Sequence, residues 1–249
     1  MLVKIWDFVE TSLVDVIESP AFVIWFSGCN FRCPWCHAEP LVLGEGKWVK
    51  ISDIIEKIKE NAYAIEYVQA TGGEPTLQAK GLLELFKEVK KIGLKTSLDT
   101  NSSNPDVIGQ LVDKNLIDHY ATDIKSDLIP EKYSKAIGIK NGDIVRRITN
   151  TLRIIKKLDF VEIRTTFVPE LISKEDVING LSKVIQILDR TDFFFVLQQF
   201  YPFNSLIDKS FTKKRIISHQ ELVSIAKDIK SMLKIKNVYV RSKTSVEKV

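Results

Sequence analysis

Three cysteines within eight residues constrain this chain more than any other feature of its sequence. Cys29, Cys33 and Cys36 are its only cysteines, and their spacing is C-x3-C-x2-C. Cysteines that only fill a core would be scattered, so the clustering indicates thiolates that hold one metal centre together. An odd number of cysteines argues against a disulfide framework, and reduced thiols predict a reducing compartment, the cytoplasm.

The kind of metal centre follows from the number of thiolates. A structural zinc site with three thiolates needs a fourth ligand, and His37 is the nearest candidate. His37 directly follows Cys36, and adjacent residues seldom both reach one metal with good geometry. Three thiolates instead suit a [4Fe-4S] cluster, in which the protein holds three irons and the fourth is open to a small molecule. We therefore favour this cluster over structural zinc and over a chance clustering of buried cysteines.

Composition and charge argue against several other classes of protein. Hydrophobic residues make up 45% of the chain and charged residues 27%, as in ordinary globular proteins. The apolar run 21–26 is far shorter than the ~20 residues of a membrane span, and Asp7 makes the N-terminus unlike a secretory signal. The C-terminal lysines lack interleaved aromatic residues. We expect neither a membrane nor a nucleic acid as partner, and an acidic protein is the alternative for these lysines.

Strand-like and helix-like segments alternate along the chain. Apolar, β-branched runs predict strands at 21–26, 67–70, 95–98, 119–124, 161–167 and 193–199. Helical periodicity predicts helices at about 52–61, 80–91, 106–114, 143–158, 173–189 and 218–233. The alternation predicts an α/β fold with a parallel sheet, either doubly wound or an incomplete barrel. We expect a single domain over 1–249, with its core at about 20–200, N-terminal strands within 3–18 and a C-terminal helix at about 218–233.

Polar residues cluster directly after the predicted strands. They are the cysteine loop and the segments Gly72–Glu74, Asp99–Asn101 and Asp123–Lys125. Both alternative architectures place their ligand sites at the carboxyl ends of parallel strands. The sequence therefore predicts a functional site built from these segments.

The cysteine spacing, with Trp35 just before the third cysteine, resembles that of the radical S-adenosylmethionine (radical SAM) enzymes. The resemblance implies an incomplete (β/α)6 barrel with a parallel sheet and outer helices. It also implies that Cys29, Cys33 and Cys36 hold a [4Fe-4S] cluster whose open iron binds the methionine moiety of S-adenosylmethionine. One electron then cleaves the sulfonium and gives a 5′-deoxyadenosyl radical. Trp35 would lie near the adenine, and a core tryptophan is the alternative.

A glycine-rich motif extends the resemblance. Two adjacent glycines let a backbone approach a ligand closely and leave N–H and carbonyl groups exposed. Thr71-Gly-Gly-Glu-Pro75 looks like the superfamily motif that receives the methionine amino group, which assigns Gly72, Gly73 and Glu74 to the cofactor. By itself, Gly-Gly-Glu would be a common turn.

Two aspartate-containing segments resemble those of the glycyl-radical-enzyme activases. In that branch, two aspartates and a threonine build a monovalent cation site beside the methionine carboxylate, and a lysine contacts S-adenosylmethionine. Carboxylates that surround a ligand carboxylate repel it unless a cation lies between them. The resemblance assigns Asp99, Thr100, Asn101, Asp123 and Lys125 to cofactor binding. The alternative is that Asp99 and Asn101 cap the next helix.

The last two predicted strands carry further candidates. Strand alternation places Glu162 and Arg164 on one face, where they could form an ion pair. The resemblance instead implies that Arg164 lies near the ribose or carboxylate of the cofactor. Pyruvate formate-lyase activases have a ribose-contacting histidine after the strand 193–199, and this chain does not. Since an amide can donate to and accept from a hydroxyl, we expect Gln198 or Gln199 to replace it.

Four motifs together are most similar to the activating proteins of anaerobic ribonucleoside-triphosphate reductase. They lie at 36–37, 72–76, 164–169 and 197–200, whereas Ala38 departs from the asparagine common in activases. The implied function is abstraction of a hydrogen from a backbone glycine of that reductase, with flavodoxin or ferredoxin as electron donor. Alternatives are an activase of another glycyl radical enzyme, a radical SAM enzyme acting on a small molecule, like 7-carboxy-7-deazaguanine synthase, and a metal-binding or electron-transfer module.

Overall fold

The structure of the chain is a computed structural model that describes residues 1–202 and 205–249. Phe203 and Asn204, in the predicted loop 200–217, lie outside the described residues. The strands are β1 (Leu2–Val16), β2 (Ser19–Phe26), β3 (Lys47–Lys50), β4 (Tyr67–Gly72), β5 (Lys95–Thr100), β6 (His119–Asp123), β7 (Phe160–Phe167), β8 (Phe194–Gln199), β9 (Asn237–Arg241) and β10 (Val246–Lys248). The α-helices are α1 (Glu39–Val42), α2 (Ile51–Asn61), α3 (Ala79–Lys91), α4 (Pro105–Asp113), α5 (Pro130–Ile137), α6 (Ile144–Ile155), α7 (Lys174–Leu188) and α8 (His219–Leu233).

The chain divides into two compact units. The first consists of Met1–Asn30, Pro40–Thr100 and Asn104–Ala121. The second consists of Phe31–Glu39, Asn101–Ser103 and Thr122–Val249. The single domain expected over 1–249 stays a prediction.

In the first unit, the strand order is β3-β1-β2-β4-β5, and the chain then continues into β6. β1 is antiparallel to β2 and to β3, whereas β2, β4 and β5 are parallel to one another. β2 and β4 are buried over nearly their whole length, as is usual for parallel strands that are covered on both faces. Helices α2 and α3 each bury one apolar stripe and leave a charged face outside.

The beginning of the first unit differs from its prediction. The sequence predicts two short strands, 3–9 and 13–17, whereas the structure has the single 15-residue strand β1. The pairing of β1 with β2 shifts register at three places. These bulges interrupt the alternation of apolar residues along β1, although the strand itself is continuous. Helix α2 begins at Ile51, without a side-chain cap and one residue before its predicted start.

In the second unit, the end of β6 is followed by the strand order β7-β8-β9-β10. β7, β8 and β9 are parallel, and β10 is antiparallel to β9. Helices α7 and α8 both begin with a capping box, formed by Ser173 with Asp176 and by Ser218 with Glu221. The starts predicted for these two helices are therefore confirmed.

Helix α5 occupies a segment for which the sequence analysis predicts no helix. Pro130 stands at its first position, and Gly138, with φ of 68°, ends it in the left-handed conformation. The helix has only eight residues, about two turns, so its apolar periodicity is too short to distinguish it from a loop.

The predicted α/β class, with a parallel-dominated sheet and helices between its strands, is confirmed. Polar segments follow β2, β4, β5 and β6, where the sequence analysis expects them. In the described part of the chain, no helix is both long and apolar enough to span a membrane.

Candidate active site

Cys29 lies in the first unit, just after β2. Its N–H donates to the carbonyl of Val42 (3.2 Å), and the N–H of Gly28 donates to Leu41 (2.8 Å), so α1 holds this turn by its backbone. The thiol is not in a disulfide and is half-buried. The residue that opens the cysteine motif therefore has a fixed backbone position.

Cys33 and Cys36 lie in the second unit, in a turn closed by the 2.9 Å bond from the N–H of Cys36 to the carbonyl of Cys33. Neither thiol is in a disulfide, and Cys33 is buried. The N–H of Arg32 donates to the carbonyl of Ile137 at the end of α5 (2.9 Å). A Cβ atom on Gly138 would lie 1.9 Å from the carbonyl oxygen of Arg32, so only glycine permits this approach. The helix that the sequence analysis missed thus supports the cysteine loop.

The three thiols have the chemistry that an iron–sulfur cluster needs. None is in a disulfide. In a [4Fe-4S] cluster each thiolate binds a different iron, so the sulfur atoms need not converge on one point. Among residues 1–202 and 205–249, no three His, Cys, Asp or Glu side chains are grouped so that they could hold a metal ion.

The glycine-rich motif packs against the backbone that leads to Cys29. The N–H of Gly73 donates to Phe26 (2.9 Å), and that of Glu74 donates to the carbonyl of Gly28 (2.8 Å). Gly72 has φ of 109°, and a Cβ atom on it would lie 2.6 Å from the carbonyl oxygen of Phe26. A Cβ atom on Gly73 would lie 2.0 Å from the carbonyl oxygen of Gly28. Both glycines are therefore required for close backbone packing inside the first unit.

Glu74 has a structural role that the sequence analysis did not anticipate. Its side chain is fully buried, and Oε1 accepts from the N–H of Thr76 (3.0 Å) and the hydroxyl of Thr100 (2.7 Å). The carboxylate thus caps the turn after β4 and ties it to the end of β5. Only β4–β5 pairing brings Thr100 within reach, so no local motif could have shown it.

Asp99 and Asn101 do not cap the next helix, so that alternative is wrong. The residue before α4 is Asn104, which makes no side-chain cap. Asp99 instead accepts from the hydroxyl of Thr71 (2.7 Å). Asn101 accepts from the N–H of Ser103 (3.0 Å) and so closes its own turn.

Asp123 is held between two cations of the second unit. Its Oδ2 lies 3.0 Å from Nζ of Lys125, and its Oδ1 lies 3.4 Å from Nε of Arg164. Burial raises the pKa of Asp123, but Lys125 and Arg164 outweigh it and lower the pKa to about 2. Burial likewise lowers the pKa of Lys125, and the Asp123 carboxylate reverses this and holds it above its usual value. All three groups are therefore charged at neutral pH.

Lys125 also covers Trp35. Its Nζ lies 5.1 Å from the centroid of the indole ring, within the range of a cation–π interaction. The indole is half-buried, and its Nε1 is buried without a hydrogen-bond partner in the described residues. Trp35 is therefore part of the same polar cluster as Asp123 and is not an ordinary core residue.

Glu162 lies between two arginines, one of which the sequence analysis missed. The carboxylate is fully buried, and its Oε1 lies 3.6 Å from Nη1 of Arg164 and 3.9 Å from Nη2 of Arg241. The expected ion pair of Glu162 and Arg164 is thus present, and Arg164 bridges it to Asp123. Arg241 is the last residue of the short strand β9, and no sequence pattern around it indicates that it lies near Glu162.

Strand alternation separates the two glutamines of β8. Gln199 donates to the carbonyl of Ile217 (2.7 Å) and accepts from the N–H of Lys243 (3.0 Å), so its amide braces the backbone. Gln198 is on the other face, where it donates to the hydroxyl of Thr166 (3.3 Å). Of the two glutamines that the sequence left open, Gln198 is therefore the one in contact with Arg241, whose Nη1 donates to its Oε1 (3.1 Å).

Comparison of the sequence with known families and proteins gives three results. Residues 23–178 match the Radical SAM superfamily. The chain is 31% identical over 237 residues to the Methanocaldococcus jannaschii protein named "Putative glycyl-radical enzyme activating enzyme MJ1227", with 94% of each chain covered. It is 25% identical over 166 residues to the 7-carboxy-7-deazaguanine synthase of Thermococcus kodakarensis, which covers 57% of this chain and 62% of that protein.

A solved structure agrees with the fold. The structure of TYW1 with a lysine-pyruvate adduct bound has a TM-score of 0.62 and 20% identity, covering 88% of this chain and 75% of that one. The predicted radical SAM fold is thus confirmed. The family match covers more than half of the chain, including all three cysteines, the glycine-rich motif, Lys125 and Arg164. The chain is therefore a member of the radical SAM superfamily, an enzyme whose cofactors are a [4Fe-4S] cluster and S-adenosylmethionine.

Proposed function

We propose that this enzyme activates a glycyl radical enzyme. The observation that carries the proposal is the similarity to the activating-enzyme relative over 94% of both chains. One electron from a low-potential donor breaks the sulfonium C–S bond of S-adenosylmethionine, giving methionine and a 5′-deoxyadenosyl radical. That radical takes one hydrogen atom from the Cα of a glycine in the partner, leaving 5′-deoxyadenosine and a glycyl radical.

Cys29, Cys33 and Cys36 would hold the cluster, which supplies the electron when bound. The fit rests on three thiols that form no disulfide and whose backbone is fixed by hydrogen bonds from neighbouring segments. The close packing of Gly73 against Gly28 joins the glycine-rich motif to the turn that carries Cys29. A ligand held by that motif would therefore have a set position relative to Cys29.

The first unit would bind the methionine amino group. Backbone groups of Gly72, Gly73 and Glu74 are the proposed partners. Asp99, half-buried at the end of β5 and bonded to Thr71, adds negative charge at the same end of the strands. Thr100, at the end of β5, completes this edge. Asn101, which belongs to the second unit, stays a predicted cofactor-binding residue, and the monovalent cation suggested by the family resemblance also stays a prediction.

The second unit would bind the carboxylate and the nucleoside. Its polar cluster contains the two carboxylates of Asp123 and Glu162 and the three cations Lys125, Arg164 and Arg241. One positive charge is left over, which suits the single carboxylate of the methionine moiety. Lys125 and Arg164 are the proposed carboxylate partners.

The same cluster offers contacts for the nucleoside. The half-buried ring of Trp35 suits the adenine, and the amide of Gln198 suits a ribose hydroxyl. Gln198 thus takes the place that a histidine has in the pyruvate formate-lyase activases.

We further propose anaerobic ribonucleoside-triphosphate reductase as the partner, flavodoxin or ferredoxin as the electron donor, and the cytoplasm as the location. The motif 164–169 and the motif 197–200 support this choice. The first motif begins on β7 and the second begins on β8, and Arg164 in the first belongs to the polar cluster. The reduced thiols support an intracellular reducing compartment.

The second candidate is a radical SAM enzyme that acts on a small molecule. The similarity to the 7-carboxy-7-deazaguanine synthase favours it, although it covers only 57% of the chain. Arg241 and Gln198 could bind the polar groups of such a substrate. The two candidates share the cofactors and differ in where the hydrogen atom comes from.

Electron paramagnetic resonance distinguishes the candidates. The reduced protein, S-adenosylmethionine and the reductase are mixed without oxygen, and a glycyl doublet is the expected result. If S-adenosylmethionine is cleaved but no doublet forms on a reductase that a known activase does activate, the proposed reductase partner is wrong. If no doublet forms on any glycyl radical enzyme tested in this way, the first candidate is wrong. Iron binding without any cleavage would indicate an electron-transfer module.

A variant tests the cluster itself. Cys33→Ala should lose the iron and all cleavage, whereas Ser182→Ala, on the exposed face of α7, should retain both. If Cys33→Ala still cleaves S-adenosylmethionine, the assignment of the cluster ligands is wrong.

A further inference from the structure

Three residues on adjacent strands form one row across the second unit. In the parallel register, Thr166 of β7 lies beside Gln198 of β8, and Gln198 lies beside Arg241 of β9. Register partners project to the same face of a sheet at the same level. Their side chains are joined, since Nη1 of Arg241 donates to Oε1 of Gln198 (3.1 Å) and Nε2 of Gln198 donates to Oγ1 of Thr166 (3.3 Å).

The row determines which way the amide of Gln198 faces. A guanidinium can only donate, so it bonds the amide oxygen and not the NH2 group. The NH2 group must then point toward Thr166. Within the described part of the chain, each end of the amide has one further valence, an N–H and a lone pair. A hydroxyl group can accept from one and donate to the other.

Arg241 is itself anchored. Its Nη2 lies 3.9 Å from Oε1 of Glu162, which is fully buried and also lies 3.6 Å from Arg164. The side chain of Arg241 retains 20% exposure, against 6% for Arg164. The guanidinium therefore joins a buried carboxylate to the half-buried amide of Gln198.

We propose that Arg241 is a positioning residue that fixes the amide of Gln198 for a ribose hydroxyl of S-adenosylmethionine. The inference rests on the proposed function in one respect, that Gln198 contacts the nucleoside. Arg241 lies beyond residues 23–178, so the superfamily match says nothing about it. Without the guanidinium, the amide can rotate by 180° and exchange its donor and acceptor ends.

The test is an equilibrium binding experiment, because binding reports the ribose contact without turnover. S-adenosylhomocysteine and its 2′-deoxy and 3′-deoxy analogues are titrated into the cluster-loaded protein by calorimetry. The proteins are the wild type, Arg241→Met, Gln198→Met and, as a control with the same loss of charge, Arg153→Met on the exposed face of α6.

The expected result is a loss of hydroxyl recognition. The wild type and Arg153→Met should bind one deoxy analogue about fivefold more weakly than S-adenosylhomocysteine, the factor that corresponds to one neutral hydrogen bond. Arg241→Met and Gln198→Met should both bind S-adenosylhomocysteine about fivefold more weakly and should discriminate less than twofold between it and that analogue. The double variant Arg241→Met/Gln198→Met should bind S-adenosylhomocysteine no more weakly than either single variant.

Two outcomes would overturn the proposal. One is discrimination in Arg241→Met equal to that of the wild type. The other is a wild type that binds S-adenosylhomocysteine but does not discriminate against either analogue. A wild type that binds none of the ligands would instead refute the proposed function. If Arg241→Met fails to fold, Arg241→Gln keeps a polar side chain at this position, but its amide can both donate and accept and so cannot fix the orientation of Gln198. Full discrimination in Arg241→Gln would equally refute the role of Arg241.

Discussion

Gly73→Ala should separate the glycine-rich motif from the cysteine loop. The added methyl carbon would start 2.0 Å from the carbonyl oxygen of Gly28 and 2.6 Å from its carbonyl carbon. An ordinary contact needs about 3.4 Å, so the two segments must move apart by about 1.4 Å. Both atoms belong to backbone, so no side chain can rotate out of the way. The 2.8 Å bond from the N–H of Glu74 to the same oxygen would break.

The size of the effect follows from these two losses. Forcing one methyl group into a packed site costs about 1–3 kcal/mol. Losing one buried backbone hydrogen bond adds about 1 kcal/mol. Gly73→Ala should therefore lower the free energy of unfolding by about 2–4 kcal/mol. Because Gly28 directly precedes Cys29, the protein should also bind less iron.

Urea unfolding and iron content measure the two effects. Gly142→Ala is the matched control, because its methyl group meets nothing within 4 Å and Gly142 is exposed. It should change the free energy of unfolding by less than ~0.5 kcal/mol, as surface substitutions usually do. If Gly73→Ala is as stable as Gly142→Ala and holds a full complement of iron, the two segments do not pack as described.

Three more predictions concern the buried polar groups. Thr100→Val should lower the free energy of unfolding, measured in urea, by about 1–3 kcal/mol, because it removes the hydroxyl that donates to the buried carboxylate of Glu74 (2.7 Å). An unchanged unfolding midpoint would contradict that hydrogen bond. Arg164→Met should lower the free energy of unfolding by about 3–5 kcal/mol in the same assay, because it removes the cation that Asp123 and Glu162 share. A decrease of less than ~1 kcal/mol would refute this role of Arg164. Burial raises the pKa of Asp123, but Lys125 and Arg164 lower it to about 2, against 3.8 in the unfolded chain. The stabilisation from this carboxylate is therefore complete above about pH 4 and is lost as the pH falls to about 2, since the unfolded chain binds the proton first. The advantage of the wild type over Asp123→Asn, measured on cluster-free protein, should shrink by about 2 kcal/mol between pH 5 and pH 2, and a constant difference would show that the pKa is not lowered.

Much of the fold could be predicted because its signals are local. The run 21–26 is apolar throughout, which is typical of a strand buried on both faces, and it forms most of β2. Ser173 with Asp176 starts α7, since a capping box needs only four consecutive residues. Helix α5 was missed because two turns give too short a pattern, and β3 because an exposed four-residue edge strand has no apolar run.

The candidate site was predictable only in part. The resemblance and the strand ends indicated Lys125 and Arg164 as members of the site. They did not indicate that both cations pair with Asp123, since Arg164 comes 41 residues later on another strand. Arg241 was missed altogether, because its contact with Gln198 depends on the register of β8 and β9.

The sequence by itself determined the metal chemistry and the family. Three thiolates spaced within eight residues, and a Gly-Gly-Glu turn after a strand, are properties of short segments that no folding is needed to reveal. Only the tertiary structure decided which groups satisfy one another: Glu74 with Thr100, Gln199 with the backbone, and Gln198 with Arg241. The physical reason is that hydrogen bonds and ion pairs act over a few ångströms, and sheet register alone brings residues from distant parts of the chain to that distance.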